Sequence, residues 1–316
     1  MSEKFTYIFM KLFRNFRDIE ASDQVHTLTI GNFDGLHQGH RALMAKAAER
    51  GPFGVTTFYP HPERVLFAQR PYFRLRPLEF LIEKMDAWGA KTLLAQNFDL
   101  DFSKWSAEEF CQRILIEAFH AQRIVVGFNF RFGHGRRGDT EFLQRFCQEK
   151  KMECLVVEPK EWQGQTVSTS RIKSLIVDGD VKRAHELLTE PYFILGVVES
   201  GDRRGRSIGF PTANVSLGDF VCPRWGVYFN RVHLPDGKVV FGVSNIGVRP
   251  TVHQDAKANL EVHVLDYGGE LYGQEIKVEF LHRIREEKKF SSVAELTKQI
   301  QNDVRVARDF AKHLKE

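Results

Sequence analysis

Short β-branched segments alternate with amphipathic helical segments through about residue 180, and this alternation limits the possible folds more than any other feature. Strands that alternate with helices form a parallel sheet with helices on both faces, so we predict a doubly wound α/β domain. Ligands bind such domains beyond the carboxyl ends of the strands. The predicted strands are 25–30, 53–58, 91–96, 123–128 and 152–157, and the predicted helices lie near 40–50, 77–88, 106–119 and 139–150.

The pattern changes at Pro191, after which closely spaced strands with turn signals follow one another. Pro235-Asp236-Gly237 and Gly268-Gly269 predict hairpin turns, because glycine adopts the positive φ that these turns need. Many short strands joined by hairpins predict a small antiparallel β-barrel. A C-terminal helix follows, in which Ser292 and Glu295 predict a capping box and apolar residues from Val293 to Leu314 recur at helical spacing. The predicted barrel strands are 192–199, 226–234, 238–244, 259–267 and 275–282.

The two patterns predict two domains, the number expected for a chain of 316 residues. We expect residues 1–185 to form the α/β domain and residues 186–316 the barrel domain, with the boundary between Asp180 and Pro191. A helical segment from Val181 to Leu188 lies at this boundary, and the sequence leaves open which domain it packs against.

The composition indicates a soluble, cytoplasmic protein. An apolar segment near the start ends at Lys11, far below the length of a signal peptide or membrane span, and Met10 is an alternative start. The net charge of +4 is small, so we expect no nucleic-acid partner. We also expect no membrane partner, and weak self-association is possible. The four cysteines lack C-x-x-C spacing, which indicates reduced structural thiols.

The segment G-N-F-D-G-L-H-Q-G-H at residues 31–40 connects the first predicted strand to a helix. Its glycines let the backbone turn sharply and approach a ligand, and the following helix start favours an anion. His37 and His40 are three residues apart, so both imidazoles can donate hydrogen bonds to one phosphate chain. Nucleotidyl transfer needs such donors, although a single histidine is more often a surface or capping residue. The candidate phosphate-binding residues here are Gly31, Asn32, Phe33, Asp34 and Gly39.

Three further motifs end strands or begin helices of the same half. F-Y-P-H-P follows the second predicted strand with His61 and Pro62, and G-F-N-F-R-F-G follows the fourth with Asn129 and Arg131. We expect both motifs to lie at the same edge of the sheet as the H-x-G-H turn. There the aromatic rings would suit a flat ligand, and the arginine would suit a phosphate. The alternative is that the aromatics are core and the basic run is a solvated loop. S-T-S-R-I-K combines hydroxyls and cations at a predicted helix start. This segment could close over a triphosphate, and the alternative is an ordinary N-cap. Its candidate residues are Ser168, Ser170, Arg171 and Lys173.

The second half contains a segment of glycines and arginines that ends in G-F-P-T-A-N. Such a loop can wrap phosphates, and Thr212 and Asn214 offer hard oxygen ligands for Mg²⁺. Downstream, Glu261 and His263 alternate with Leu260, Val262 and Val264, so a strand would point the two polar side chains to one face. A solvated outward charge is the alternative interpretation of Glu261. The candidate phosphate-binding residues are Gly205, Arg206 and Gly209.

Together, the motifs of the first half resemble the adenylyltransferase half of the prokaryotic bifunctional riboflavin kinase/FAD synthetases. G-F-P-T-A-N, G-V-Y at 226–228, N-I-G-V-R-P-T at 245–251 and E-E-K-K-F at 286–290 resemble the kinase half. The resemblance implies that His37 and His40 contact ATP phosphates and that Glu261 accepts the proton of the ribityl 5′-hydroxyl. The family usually has Arg where this chain has Lys173, which keeps the charge but loses the bidentate fork. The implied flavin-binding residues are His61, Pro62, Asn129, Arg131, Phe210 and Arg249.

The resemblance predicts an enzyme that makes FMN from riboflavin in the barrel and FAD from FMN in the α/β domain. It implies ATP as co-substrate, Mg²⁺ as cofactor, and FMN and FAD as bound products. One alternative is a nucleotidyltransferase of the same class that acts on another phosphorylated acceptor. Another is a non-catalytic flavin-binding or RNA-associated protein that uses the arginine-rich loops.

Overall fold

The computed structural model describes residues 10–67, 69, 73–200, 205, 208–248 and 258–314. The chain divides into two compact units. Residues 1–70 and 76–168 form the first unit, and residues 71–75 and 169–316 form the second. The domain boundary expected after residue 185 stays a prediction. Arg206 and Arg249, two predicted ligand-binding residues, lie outside the described residues.

A parallel sheet forms the centre of the first unit, with strand order β1-β4-β3-β2-β5-β6 in the described residues. Leu28, Ile30, Ile124 and Val126 are almost fully buried in one core of this sheet. The alternation of the sequence therefore gave the predicted α/β fold. The strands are Lys11–Phe13 (β1), Thr27–Ile30 (β2), Phe53–Tyr59 (β3), Ala90–Asn97 (β4), Arg123–Gly127 (β5) and Glu153–Val157 (β6), and a small hairpin adds Glu161–Trp162 (β7) and Gln165–Thr166 (β8).

The helices of the first unit occur between the strands, as the sequence predicts. The predicted helix 106–119 is not a regular α-helix throughout. After α4 (Ala107–Phe110) it continues as a π-helix over Cys111–Ala118, where Phe119 N–H donates to the carbonyl of Ile114. Strand β1 was not predicted, because three residues are too short to show a pattern. The helices are Gln38–Ala48 (α1), Pro62–Leu66 (α2), Leu78–Ala87 (α3), Ala107–Phe110 (α4) and Thr140–Glu149 (α5).

The second unit contains a closed antiparallel barrel with order β10-β13-β12-β11-β14-β9 among the described residues. The predicted strands are all present, and β10 was missed because it lies inside the G-F-P-T-A-N motif. The strands are Phe193–Glu199 (β9), Ala213–Ser216 (β10), Gly226–His233 (β11), Val239–Val248 (β12), Ala258–Val264 (β13) and Glu275–Glu286 (β14). Three helices of this unit lie wholly within the described residues, and they are Thr169–Val177 (α6), Val181–Leu187 (α7) and Val293–His313 (α8).

Helices α7 and α8 both pack on the barrel: α7 contacts β14, and α8 contacts β11, β12 and β14. The capping-box prediction is half right. Ser292 Oγ accepts the Glu295 N–H at 3.2 Å, but the Glu295 carboxylate accepts the N–H of Ser291, not that of Ser292. The apolar pattern also extends past the packed part of the helix, because Val293 is 63% exposed and Leu314 is 53% exposed.

The turns of the barrel confirm one glycine prediction and correct another. Gly237 has a φ of +82° in the β11–β12 hairpin, as expected. In the β13–β14 connection the positive φ values belong to Asp266 and Gly273, whereas Gly268 and Gly269 adopt negative or extended conformations. The connection is longer than a tight hairpin, so the positive φ moves to its two ends.

A short segment of the chain before α3 belongs to the second unit. Phe73 and Arg74 donate their N–H groups to the carbonyl of Asp219, and Val221 donates its N–H to the carbonyl of Arg74, each at 2.9 Å. The Arg74 guanidinium lies 5.0 Å from the ring centroid of Phe220. Residues 73–75 therefore lie alongside the segment that follows β10.

The four cysteines are all described, and all are free thiols, as predicted. No helix in the part of the chain that the structure describes is long and apolar enough to cross a membrane.

Candidate active sites

The turn between β2 and α1 holds both predicted histidines. His37 is the N-cap of α1, and its Nδ1 accepts the backbone N–H of His40 at 3.3 Å. A nitrogen that accepts cannot carry a proton, so in neutral His37 the proton lies on Nε2 and Nε2–H is a donor. The two imidazole rings stack with their centroids 3.6 Å apart, which confirms that positions 37 and 40 share one face.

Both histidines are neutral at physiological pH. Burial lowers the pKa of His37 from 6.5 to about 4, because the charged imidazolium loses its hydration. Burial, and then the proximity of His37, lower the pKa of His40 well below its usual value. His40 is half-buried, but its Nδ1 is shielded from solvent and has no hydrogen-bond partner among the described residues.

The backbone of this turn is tightly constrained. Phe33 and Leu36 have positive φ values of 50° and 45°, which side chains with a Cβ rarely adopt. A Cβ on Gly39 would lie 3.0 Å from Cε1 and 3.1 Å from Nδ1 of His37. Residue 39 is therefore glycine because the imidazole occupies the space of a side chain.

The other predicted motifs of the first unit follow strands adjacent to β2. His61 and Pro62 follow β3, and Asn129 and Arg131 follow β5, so all lie at the carboxyl edge of neighbouring parallel strands. His61 also caps α2, since its Nδ1 accepts the Glu63 N–H at 3.2 Å. Arg131 donates to the Asp139 carboxylate at 3.0 Å, which holds its guanidinium at this edge.

The S-T-S-R-I-K motif spans the end of the first unit. The carbonyl oxygen of Val167 lies 3.9 Å from the position that a Cβ on Gly39 would take. The residue before Ser168 therefore lies beside the histidine turn. Ser170, Arg171 and Lys173 lie on α6, which begins at Thr169 as the sequence predicts and belongs to the second unit.

In the second unit, the polar candidates form one row across the barrel. Glu261 on β13 pairs directly with Asn214 on β10 and with Asn245 on β12. The row continues through Val227 on β11 to Arg285 on β14. Residues opposite one another in antiparallel strands project from the same face, so these side chains share one surface of the barrel.

The alternation predicted for β13 is confirmed. Leu260 and Val262 are fully buried, whereas Glu261 and His263 are partly exposed on the other face. The sequence did not indicate a role for His263. Its Nδ1–H donates to the carbonyl of Pro211 at 2.8 Å, and its ring contacts Phe210 at a centroid distance of 5.4 Å. His263 therefore holds the G-F-P-T-A-N segment against β13.

A cavity of about 390 Å³ lies over this row. Its polar end contains Thr212, Asn214, Asn259 and Glu261. Gly205 also lines the cavity, and a Cβ at this position would lie 2.3 Å from the Phe210 carbonyl oxygen. The apolar part is lined by Val227, Val243, Leu296, Ile300 and Val304. Gly209 has a φ of +86° but does not line this cavity, although it precedes Phe210, which does.

A buried ion pair connects the cavity to helix α8. Arg285 Nε and Nη2 donate to the Asp303 carboxylate at 2.8–3.0 Å, and Nη1 donates to the Glu286 carbonyl at 2.8 Å. Asp303 is 2% exposed, and both side chains line the cavity. Sequence reasoning missed this pair, because a charge within a helix usually faces solvent.

Comparisons with known proteins match both units. A family model for FAD synthetase matches residues 19–171, and one for riboflavin kinase matches residues 188–311. A bifunctional riboflavin kinase/FMN adenylyltransferase from Bacillus subtilis (strain 168) is 36% identical, and the match covers 94% of this chain and 96% of the relative. One from Escherichia coli (strain K12) is 37% identical, with 95% and 98% covered.

A solved structure is also similar over most of this chain. It is described as a macrolide-efflux protein from Streptococcus pneumoniae. That protein is 31% identical with a TM-score of 0.82, and the match covers 95% of this chain and 99% of the solved one.

Proposed function

The chain belongs to the family of bifunctional riboflavin kinases/FMN adenylyltransferases, and from this premise we propose which residues carry each reaction. The resemblance predicted from the sequence is confirmed. The enzyme phosphorylates riboflavin to FMN with ATP in the part matched by the riboflavin kinase model, and it adenylylates FMN to FAD in the part matched by the FAD synthetase model. The second reaction releases pyrophosphate.

For adenylylation we assign phosphate binding to the histidine turn. An oxygen of the FMN phosphate attacks the α-phosphorus of ATP, and the bond from that phosphorus to the departing pyrophosphate breaks. Negative charge builds on the transferred and departing oxygens, and an N–H donor stabilises this charge. A neutral imidazole can act as this donor without first taking up a proton. Nε2–H of His37 is such a donor, and the N-terminus of α1 adds its dipole.

The remaining residues of the first site keep their predicted roles as proposals. Gly31, Asn32, Phe33, Asp34, Gly39, Ser168, Ser170, Arg171 and Lys173 would bind ATP, and His61, Pro62, Asn129 and Arg131 would bind the flavin nucleotide. The positions of the first-unit residues after neighbouring strands of one sheet edge support these roles, whereas the roles of Ser170, Arg171 and Lys173 rest on the sequence resemblance.

For the kinase we assign the proton acceptor to Glu261. The ribityl 5′-oxygen attacks the γ-phosphorus of ATP, its proton passes to the carboxylate, and ADP leaves. Gly205, Arg206 and Gly209 would wrap the phosphates, and Phe210 and Arg249 would contact the flavin. The cavity supports an orientation of riboflavin in which the ring contacts the apolar part and the ribityl chain reaches Glu261.

Magnesium fits the polar end of this cavity. The Thr212 hydroxyl and the Asn214 amide oxygen are hard ligands, and both side chains line the same cavity. Within the described residues, no group of three or more His, Cys, Asp or Glu side chains could hold a metal. We therefore propose a cation held by these two oxygens together with ATP phosphates, whose charge it would neutralise.

One observation supports the kinase assignment most: Glu261 and Asn214 lie directly opposite each other beside a cavity large enough for a ligand. The experiment is to incubate the protein with riboflavin, ATP and Mg²⁺ and to separate flavins over time by chromatography. We expect FMN to appear first and FAD afterwards. FMN without FAD would reject the proposed histidine site, and the absence of both products, with FMN also supplied directly, would reject both assignments.

Several expectations stay predictions. They are the cytoplasmic location, the lack of a nucleic-acid partner and the weak self-association. Retention of RNA at physiological salt would contradict the second, since non-specific phosphate contacts weaken steeply with salt.

A further inference from the structure

Asn259 lies between the two most important polar groups of the kinase cavity. Its Nδ2 donates to Asn214 Oδ1 at 3.1 Å and to Glu261 Oε1 at 3.2 Å. Asn259 and Glu261 are two residues apart on β13, so their side chains project from the same face, and both line the cavity. Sequence analysis did not select Asn259.

The chemistry of the three groups fixes the orientation of both amides. An ionised carboxylate only accepts hydrogen bonds, so the nitrogen end of Asn259 must face Glu261. That nitrogen has two N–H groups, and the second one points to Asn214. Asn214 must then present its oxygen, because its own NH₂ group could not accept. The oxygen of Asn214 has two lone pairs, so this hydrogen bond is compatible with a bond to a cation.

Nearby negative charge makes this donor more important. A Cβ on Gly247, the residue opposite Asn259 on β12, would lie 2.4 Å from Glu287 Oε1, so a second carboxylate lies over this position. Without the Asn259 donor, the Asn214 amide could rotate and donate its own NH₂ group to the Glu261 carboxylate. That rotation would turn the Asn214 oxygen away from the cation.

We propose that Asn259 is a positioning residue of the kinase that holds the proton acceptor and the cation ligand at a fixed separation. This inference rests on the proposed roles of Glu261 and Asn214. One amide sets the direction of the Glu261 carboxylate toward the 5′-hydroxyl and the direction of the Asn214 oxygen toward the cation.

The test is Asn259→Leu, which keeps the branching and approximate size of the side chain and removes both donors. We expect the kcat of FMN formation to fall about 100-fold, the range for a misplaced acid–base group, while the KM for riboflavin changes by less than about threefold. Binding of Mn²⁺ in the presence of ADP, measured by electron paramagnetic resonance, should weaken about fivefold or more, which tests the effect on Asn214 without catalysis. Asn259→Ser keeps one donor, so its kcat of FMN formation and its Mn²⁺ affinity should both decrease less than those of Asn259→Leu.

Controls separate this inference from the proposed function. FAD formation from supplied FMN should be unchanged in Asn259→Leu, and Asn302→Leu, the same change at an exposed position, should leave FMN formation unchanged. Glu261→Gln should remove most kinase activity, and adding Asn259→Leu to it should cost clearly less than the roughly 100-fold that Asn259→Leu costs alone, since only the effect on Asn214 then remains. Normal kinase activity in Glu261→Gln would reject the proposed function. Normal kcat and Mn²⁺ binding in both folded Asn259 variants, with Glu261→Gln inactive, would overturn this inference alone.

Discussion

The Nδ1 atom of His37 accepts the backbone N–H of His40 at 3.3 Å, and this bond fixes the tautomer of His37. The same bond caps α1, so the residue that starts the helix is also the residue whose Nε2–H we propose as a phosphate donor. The stacked His40 ring, 3.6 Å away, limits rotation of the His37 ring. Because both imidazoles are neutral, they can donate without first taking up a proton.

His40→Ala should abolish most FAD formation and leave FMN formation intact. Loss of one preorganised donor costs about 100- to 1000-fold in kcat. The two activities can be measured separately on the same protein, with FMN or riboflavin as the starting flavin. Equal loss of both activities in a folded variant would contradict the assignment of the histidine turn to one reaction.

Stability of the first unit should depend on pH through His37. The pKa of this group is 6.5 in the unfolded chain and about 4 in the folded protein, so below pH 6.5 the unfolded chain takes up a proton that the folded protein does not. The free energy of unfolding should therefore be insensitive to this group above pH 7 and decrease by about 2 kcal/mol between pH 7 and pH 5.

His37→Asn keeps a capping side chain and removes the titrating group. Between pH 7 and pH 5, the free energy of unfolding of this variant should therefore decrease by about 2 kcal/mol less than that of the unsubstituted protein. Urea unfolding followed by tryptophan fluorescence, with Trp225→Phe to remove the signal of the second unit, measures the difference. Parallel pH dependences in the two proteins would show that His37 titrates normally.

Gly39→Ala should separate stability from activity. Alanine suits the helical position better than glycine by roughly 1 kcal/mol, but its Cβ would lie 3.0 Å from Cε1 of His37 and displace the ring by a few tenths of an ångström. We expect roughly a tenfold or larger loss of FAD formation with only a small change in melting temperature, since the weakened His37 cap offsets the gain in helix propensity. Gly268→Ala is the matched control, since no described atom lies within 4 Å of its Cβ position; full FAD formation in Gly39→Ala would argue against the close-approach role.

Glu261→Gln and Asn214→Ala should each stop FMN formation while FAD still forms from supplied FMN. Removal of a general base costs about 100- to 10,000-fold. Asn214→Ala should in addition raise the Mg²⁺ concentration needed for half-maximal rate, whereas Glu261→Gln should not. If Glu261→Gln turned over normally, the carboxylate would be a solvated charge after all.

Asp303→Ala should destabilise the barrel and weaken riboflavin binding. It leaves the mostly buried Arg285 guanidinium without its carboxylate, which costs about 3 kcal/mol for a pair of this kind. The KM for riboflavin should rise, because α8 forms the apolar wall of the cavity. Asp309→Ala on the same helix breaks exposed ion pairs and should cost less than about 0.5 kcal/mol in chemical denaturation. Similar losses in the two variants would contradict a special role for Asp303.

Much of the fold was predictable because its signals are local. The alternation of Leu260, Glu261 and Val262 shows which face of β13 is buried without any knowledge of the neighbouring strands. The H-x-G-H spacing likewise predicted that His37 and His40 would meet. Three- and four-residue strands such as β1 and β10 carry too few positions for such a pattern.

The missed features depend on contacts between distant segments. Asn259 and Asn214 are 45 residues apart, and the register of β10 against β13 brings them together. Arg285 and Asp303 meet because α8 packs on the barrel, and the helical periodicity of the sequence does not show which strand residue Asp303 contacts. Sequence motifs therefore selected the candidate reacting groups but not the residues that contact and orient them.

The three residues 73–75 have a consequence for dividing the protein experimentally. A fragment that starts at residue 169 contains α6, α7, α8 and the described barrel strands but lacks the partner of Asp219 and Val221 and the guanidinium over Phe220. No single cut of the polypeptide yields the second unit whole, since part of it is encoded before α3. Joining residues 73–75 to the fragment through an engineered linker would restore what a simple truncation removes.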